Sequence, residues 1–126
     1  MNKIKTHRDL DVYKISMDWV VELYKITAKF PATEKFGLSS QLRRAGVSIC
    51  SNIAEGAARN HPREYLQFLY VALGSVSEIE TQLEIARRLG YINSIDQEKK
   101  MLDRLRQMLI CLIRSIKRKS DAIHVP

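Results

Sequence analysis

The stretch Leu38-Ser-Ser-Gln-Leu-Arg-Arg-Ala-Gly-Val-Ser-Ile-Cys-Ser-Asn-Ile-Ala-Glu-Gly-Ala-Ala-Arg59 decides how this chain folds. At 3.6 residues per turn it resolves into three stripes. Leu42, Gly46, Ile49, Ile53 and Gly56 make one, and Val47, Cys50, Ala54 and Ala57 make a second beside it. Gln41, Arg44, Ser48, Asn52, Glu55 and Arg59 make a polar third. Two neighbouring apolar stripes of small residues predict a helix packed closely on more than one side. Glycine costs about 1 kcal/mol against alanine inside a helix, so Gly46 and Gly56 predict close backbone approach.

Three further helical segments flank this one. Upstream, Val12, Ile15, Trp19, Leu23, Ile26 and Phe30 recur at spacings of three and four, opposite a charged face that runs from Asp11 to Lys29. Tyr13, Met17, Val20 and Tyr24 widen the apolar side. This predicts a helix over residues 8–30, stopped by Pro31. A loop to Gly37 leads into the second helix, 38–59. The third, 62–89, has Pro62 at its first position and Gly90 just past its end. Leu66, Leu69, Leu73, Val76, Leu83 and Leu89 mark its core side. Ser94-Ile-Asp-Gln97 reads as a capping box for the fourth, 94–119, whose seam is Leu102, Leu105, Leu109, Leu112 and Ile116. Residues 120–126 are expected to fray. Four amphipathic segments with short connections predict an all-α, antiparallel up-down four-helix bundle in a single domain, residues 1–126.

Composition agrees. Only five Gly and three Pro in 126 residues argue against many short strands. Two cysteines are too few for a disulfide scaffold, so the core comes from apolar packing. No run approaches the ~18 apolar residues of a membrane span, and the basic N-terminus lacks a signal peptide's apolar stretch. The expectation is a cytoplasmic protein with reduced thiols and no membrane association.

Several segments together carry a resemblance. They are Asp9-Leu-Asp-Val-Tyr13, Phe36 through Gly56, Glu64 through Leu83, and Leu89-Gly-Tyr-Ile92. The chain resembles the four-helix bundle family encoded in intervening sequences of bacterial large-subunit ribosomal RNA genes, from Arg8 to about Leu112. Two departures are visible: Cys50 stands where the family often has proline, and His61 where a Ser or Thr cap is common, which leaves His61 or Asn60 as the cap. The resemblance implies a ring-shaped homo-oligomer, most simply a homopentamer. It is similar, too, to the accessory variability determinant of diversity-generating retroelements, a basic bundle that binds a reverse transcriptase and nucleic acid. Most members have no established activity, and the "ribosomal protein" label does not make them parts of the ribosome.

The net charge of +7 asks for a partner. Residues 93–126 hold eight basic and four acidic side chains, a net +4, whereas 61–92 are net −1. Between residues 104 and 119 lie Arg104, Arg106, Arg114, Lys117, Arg118 and Lys119, with no acid among them. A basic helical stripe is the footprint of a nucleic-acid partner, and Arg43 and Arg44 add to it. Cations near a helix C-terminus also offset the helix dipole, which is the competing explanation. Nothing in the motifs points to sequence-specific reading.

Other constellations carry less. Ser48, Asn52, Glu55 and Arg59 could meet Ser75, Glu78 and Gln82 across two helices, and read best as a polar network at an oligomer interface. No nucleophile or ligand set accompanies them, no P-loop or dinucleotide fingerprint occurs, and the three histidines are scattered, so neither enzyme activity nor a metal or other cofactor is expected. Trp19, Tyr13, Tyr24 and Phe30, at helical spacing, read as core or interface rather than as base-stacking platforms. The expected function is a non-catalytic accessory protein that binds nucleic acid. The alternative is a scaffold that recruits a protein partner such as a reverse transcriptase.

Overall fold

The computed structural model describes residues 6–7 and 10–123. Among them the chain forms α1 (Asp11–Thr27), α2 (Leu38–Ala58), α3 (Pro62–Arg88) and α4 (Asp96–Ile123), with a 3-10 turn at Ala32–Glu34 and no strand.

The termini of these helices follow local chemistry. Leu10 is extended (φ −75°, ψ 128°), so α1 starts at Asp11 and not near residue 8. It ends at Thr27 rather than Phe30, because the chain tightens into three-residue turns: the amides of Lys29 and Phe30 donate to the carbonyls of Ile26 and Thr27. The α3 cap is His61, whose Nδ1 accepts the Arg63 amide at 3.3 Å. At the other end Gly90 sits at φ +82°, a conformation that glycine adopts without strain. Gly90 and Tyr91 then donate to the carbonyls of Arg87 and Ala86, the paired bonds of a Schellman motif. Ser94 Oγ accepts the Asp96 amide at 3.2 Å. The expected fraying from residue 120 is corrected: α4 runs on to Ile123, with Ser120 buried and no glycine or proline to stop it. Residues 124–126 lie outside the described residues.

Cross-helix contacts fix the topology. Along α2, Arg43, Gly46 and Cys50 meet Thr27, Leu23 and Ser16 of α1, so the two run antiparallel. Gln41, Ser48 and Gly56 meet Gln82, Ser75 and Phe68 of α3 in the same descending order. Arg106 of α4 reaches Glu80 of α3. Each helix packs on the one before it, and α4 closes the square against α1. The backbones of the diagonal pairs α1/α3 and α2/α4 stay apart.

The core follows the predicted stripes except at Val47 of α2 and at Leu89, both expected on apolar sides and both exposed. Leu23, Leu42, Ile49, Ile53, Leu69, Ile79, Leu83, Leu102, Leu105 and Leu109 are fully buried. Burying each such side chain contributes about 1.5–3 kcal/mol against the entropy of ordering the chain. The two helical glycines of α2 work as their spacing predicted. A Cβ on Gly46 would lie 2.9 Å from Leu23 Cδ2 of α1. One on Gly56 would lie 2.9 Å from both Phe68 Cβ and Tyr65 Cδ1 of α3. This helix is therefore approached closely on two sides. Met17 and Tyr24, expected to widen the apolar side of α1, are instead exposed.

Candidate nucleic-acid interface

The last turns of α4 carry Arg114, Lys117, Arg118 and Lys119, all exposed. No acidic residue occurs on α4 between Asp103 and Asp121. Among the described residues none of the four is ion-paired. Lys117 Nζ stands 5.5 Å from the centroid of the Tyr70 ring on α3, which ties the patch to the neighbouring helix. Arg104, nearer the start of α4, is also exposed and, among the described residues, not ion-paired.

Arg106 does not belong with them. Its Nη1 donates to Asp103 Oδ1 at 2.6 Å and its Nη2 reaches Glu80 Oε1 at 3.5 Å. Its charge is matched within the chain, so the free stripe is shorter than the sequence suggests. Arg43 and Arg44 are apart from it as well, because α2 and α4 occupy opposite corners of the square. On α3, Arg87 and Arg88 are likewise occupied: their guanidiniums hold the Glu84 carboxyl down to about 2.

The polar residues of α2 and α3 separate into two groups inside one chain. Ser75 Oγ donates to Ser48 Oγ at 3.0 Å, and Asn52 Nδ2 donates to the same hydroxyl at 3.0 Å and to the Ser48 carbonyl at 2.7 Å. Gln82 Nε2 lies 3.4 Å from Glu78 Oε1 and 3.5 Å from Gln41 Oε1, a partner that the stripe reading had left in the polar face without a role. Glu55 is exposed and joins neither group. Arg59 instead places its guanidinium 5.1 Å from the Phe68 ring centroid.

Reactive groups are dispersed. Burial pushes the Cys50 thiol up from its ordinary value, and its Sγ donates to Ser16 Oγ at 3.4 Å. Cys111 is exposed on α4. Among the described residues no group of three or more His, Cys, Asp or Glu could hold a metal ion, and no helix is long and apolar enough to cross a membrane. Phe36 was missed as a surface feature. It is 89% exposed beside Lys35, and its one sequence signal was an aromatic residue in a loop, off every apolar stripe.

Fold and surface thus define an all-α four-helix bundle with an unpaired cationic helix end. The chain belongs to the family of 23S rRNA-intervening sequence proteins, whose family model matches residues 8–111. It is similar to a crystal structure of a protein of unknown function from the S23 ribosomal protein family of Bacteroides thetaiotaomicron. The two share 27% sequence identity and superpose with a TM-score of 0.70, over 82% of this chain and 95% of the other. No curated protein matches the chain.

Proposed function

We propose that this protein is a non-catalytic accessory protein that assembles with copies of itself and binds nucleic acid without sequence specificity. The observation that carries the reading is the group Arg114, Lys117, Arg118 and Lys119, four exposed cations in six residues with no paired carboxylate among the described residues. Each phosphate they meet releases condensed counterions, so affinity falls steeply with salt. Repetition of the patch around an oligomer adds weak contacts through effective concentration.

Self-assembly has its own support on α3. Val71 and Ile85 are exposed apolar residues on its outer side. Gly74 lies on the same side, and among the described residues nothing beyond its own stretch of helix comes within 4 Å of where its Cβ would be. Packing within one chain thus gives no reason for a residue that costs about 1 kcal/mol in a helix. The same face supports the second reading, a scaffold that recruits a partner protein. The two readings separate experimentally. In a gel shift at low salt, RNA or DNA retards the protein, and Arg114→Glu with Arg118→Glu weakens the shift. Undiminished binding by that double variant would remove α4 as the site. A scaffold would instead retain a defined partner in pull-downs after nuclease treatment.

A further inference from the structure

A hollow of about 450 Å³ opens where the 3-10 turn meets the start of α2 and the end of α1. Its walls include Tyr24, Phe36, Lys35, Arg43 and Arg44, and no carboxylate lines it. The acid nearest in sequence, Glu34, is engaged elsewhere: Oε1 accepts the Leu38 amide at 3.2 Å and Oε2 accepts the Tyr91 hydroxyl at 2.9 Å. Glu34 thereby ties the turn to the start of α2 and to the chain after α3. Phe36 is presented from an anchored corner.

The cations here are arranged, not merely present. The Arg43 guanidinium lies 4.5 Å from the centroid of the Tyr24 ring. Its Nε donates to Thr27 Oγ1 at 2.7 Å and its Nη2 to the Tyr24 carbonyl at 3.3 Å. These contacts orient the planar group while its remaining N–H donors stay uncommitted. Lys35 Nζ stands 5.4 Å from the Phe36 centroid, and Arg44 is exposed. Among the described residues none of the three is ion-paired.

An exposed phenyl ring beside one oriented guanidinium and two further cations suits a flat heterocycle joined to a phosphodiester. We infer that this hollow takes unpaired bases of a single-stranded nucleic acid, with a base stacked on Phe36 and the adjoining phosphates met by Lys35, Arg43 and Arg44. Duplex bases have their faces covered by neighbours, so only an unstacked base offers a face to the ring. The inference rests on the proposed nucleic-acid binding and narrows it: α4 supplies contact with any phosphate backbone, and this hollow supplies preference for single strands.

The test is fluorescence anisotropy at low salt with two labelled probes, a single-stranded RNA of about 12 nucleotides, the range one stacking groove covers, and a duplex containing the same strand. Phe36→Ala weakens the single-stranded probe about 5- to 100-fold, the usual effect of removing a stacking ring, and leaves duplex binding unchanged. Phe36→Trp restores the preference. Equal loss on both probes, or no loss on either, overturns the hollow as a base site. So does a change in particle mass by light scattering on Phe36→Ala, because the ring would then be a contact between copies. If neither probe binds the unaltered protein, both this inference and the wider reading fail. Binding of both probes with insensitivity to Phe36 sinks only the former.

Discussion

At the scale of single residues, two positions expose how the fold is held. Gly56 lets α3 approach α2 so closely that a Cβ would lie 2.9 Å from Phe68 Cβ and 3.3 Å from the Tyr65 carbonyl oxygen. Gly56→Ala gains about 1 kcal/mol of helix propensity. It also forces two backbones apart, an overpacking cost of about 1–3 kcal/mol. The expected result is a lower Tm for Gly56→Ala and a much lower one for Gly56→Leu, measured by thermal circular dichroism; a higher Tm for both would contradict the close approach. Tyr91 gives a pH signature. Its hydroxyl donates to the Glu34 carboxylate, which raises the phenol above its usual value of 10, with burial adding to the effect. A raised acid is stabilising in its protonated form. The contribution is therefore complete below pH 10 and disappears as pH rises through the folded-state value. Between neutral pH and pH 11 the Tm of the unaltered protein should fall further than that of Tyr91→Phe; parallel curves would mean that the bond contributes nothing.

The elements were more legible than the residues that decorate them. The stripes Leu42, Gly46, Ile49, Ile53 and Gly56 are all buried, because period and burial are linked through the helix itself. Helix ends were less legible. They depend on turn bonds such as those of Lys29 and Phe30, and on whether a late residue such as Ser120 finds cover, neither of which a single stripe encodes. Charge on α4 shows the same division. The sequence displayed six cations between residues 104 and 119, but it could not display that Arg106 is held by Asp103 and by Glu80 of α3. Nor could it reveal Phe36: exposure of a loop aromatic is set by how the 3-10 turn sits on α2, which depends on Glu34 reaching both Leu38 and Tyr91. The separation of Arg43 and Arg44 from α4 is likewise a property of the square and not of any helix.

For the whole molecule, the proposed self-assembly and the charge belong to one account. A chain with Val71 and Ile85 in water and a glycine facing open space between them has an unfinished surface. Light scattering should return a mass that is a multiple of 14.6 kDa, and Val71→Asp with Ile85→Asp should reduce it to the single-chain value. A monomer mass for the unaltered protein would end the self-assembly proposal. Assembly would also multiply the +7 of each chain and set several α4 patches side by side. The most direct test of nucleic-acid binding through α4 is the salt dependence of affinity for a short duplex. Four phosphate contacts per site predict a slope of log K against log salt of about −3 to −4, shrinking by about 2 in Arg114→Glu with Arg118→Glu. Absence of binding at low salt, or a slope that the double variant leaves unchanged, would contradict the account.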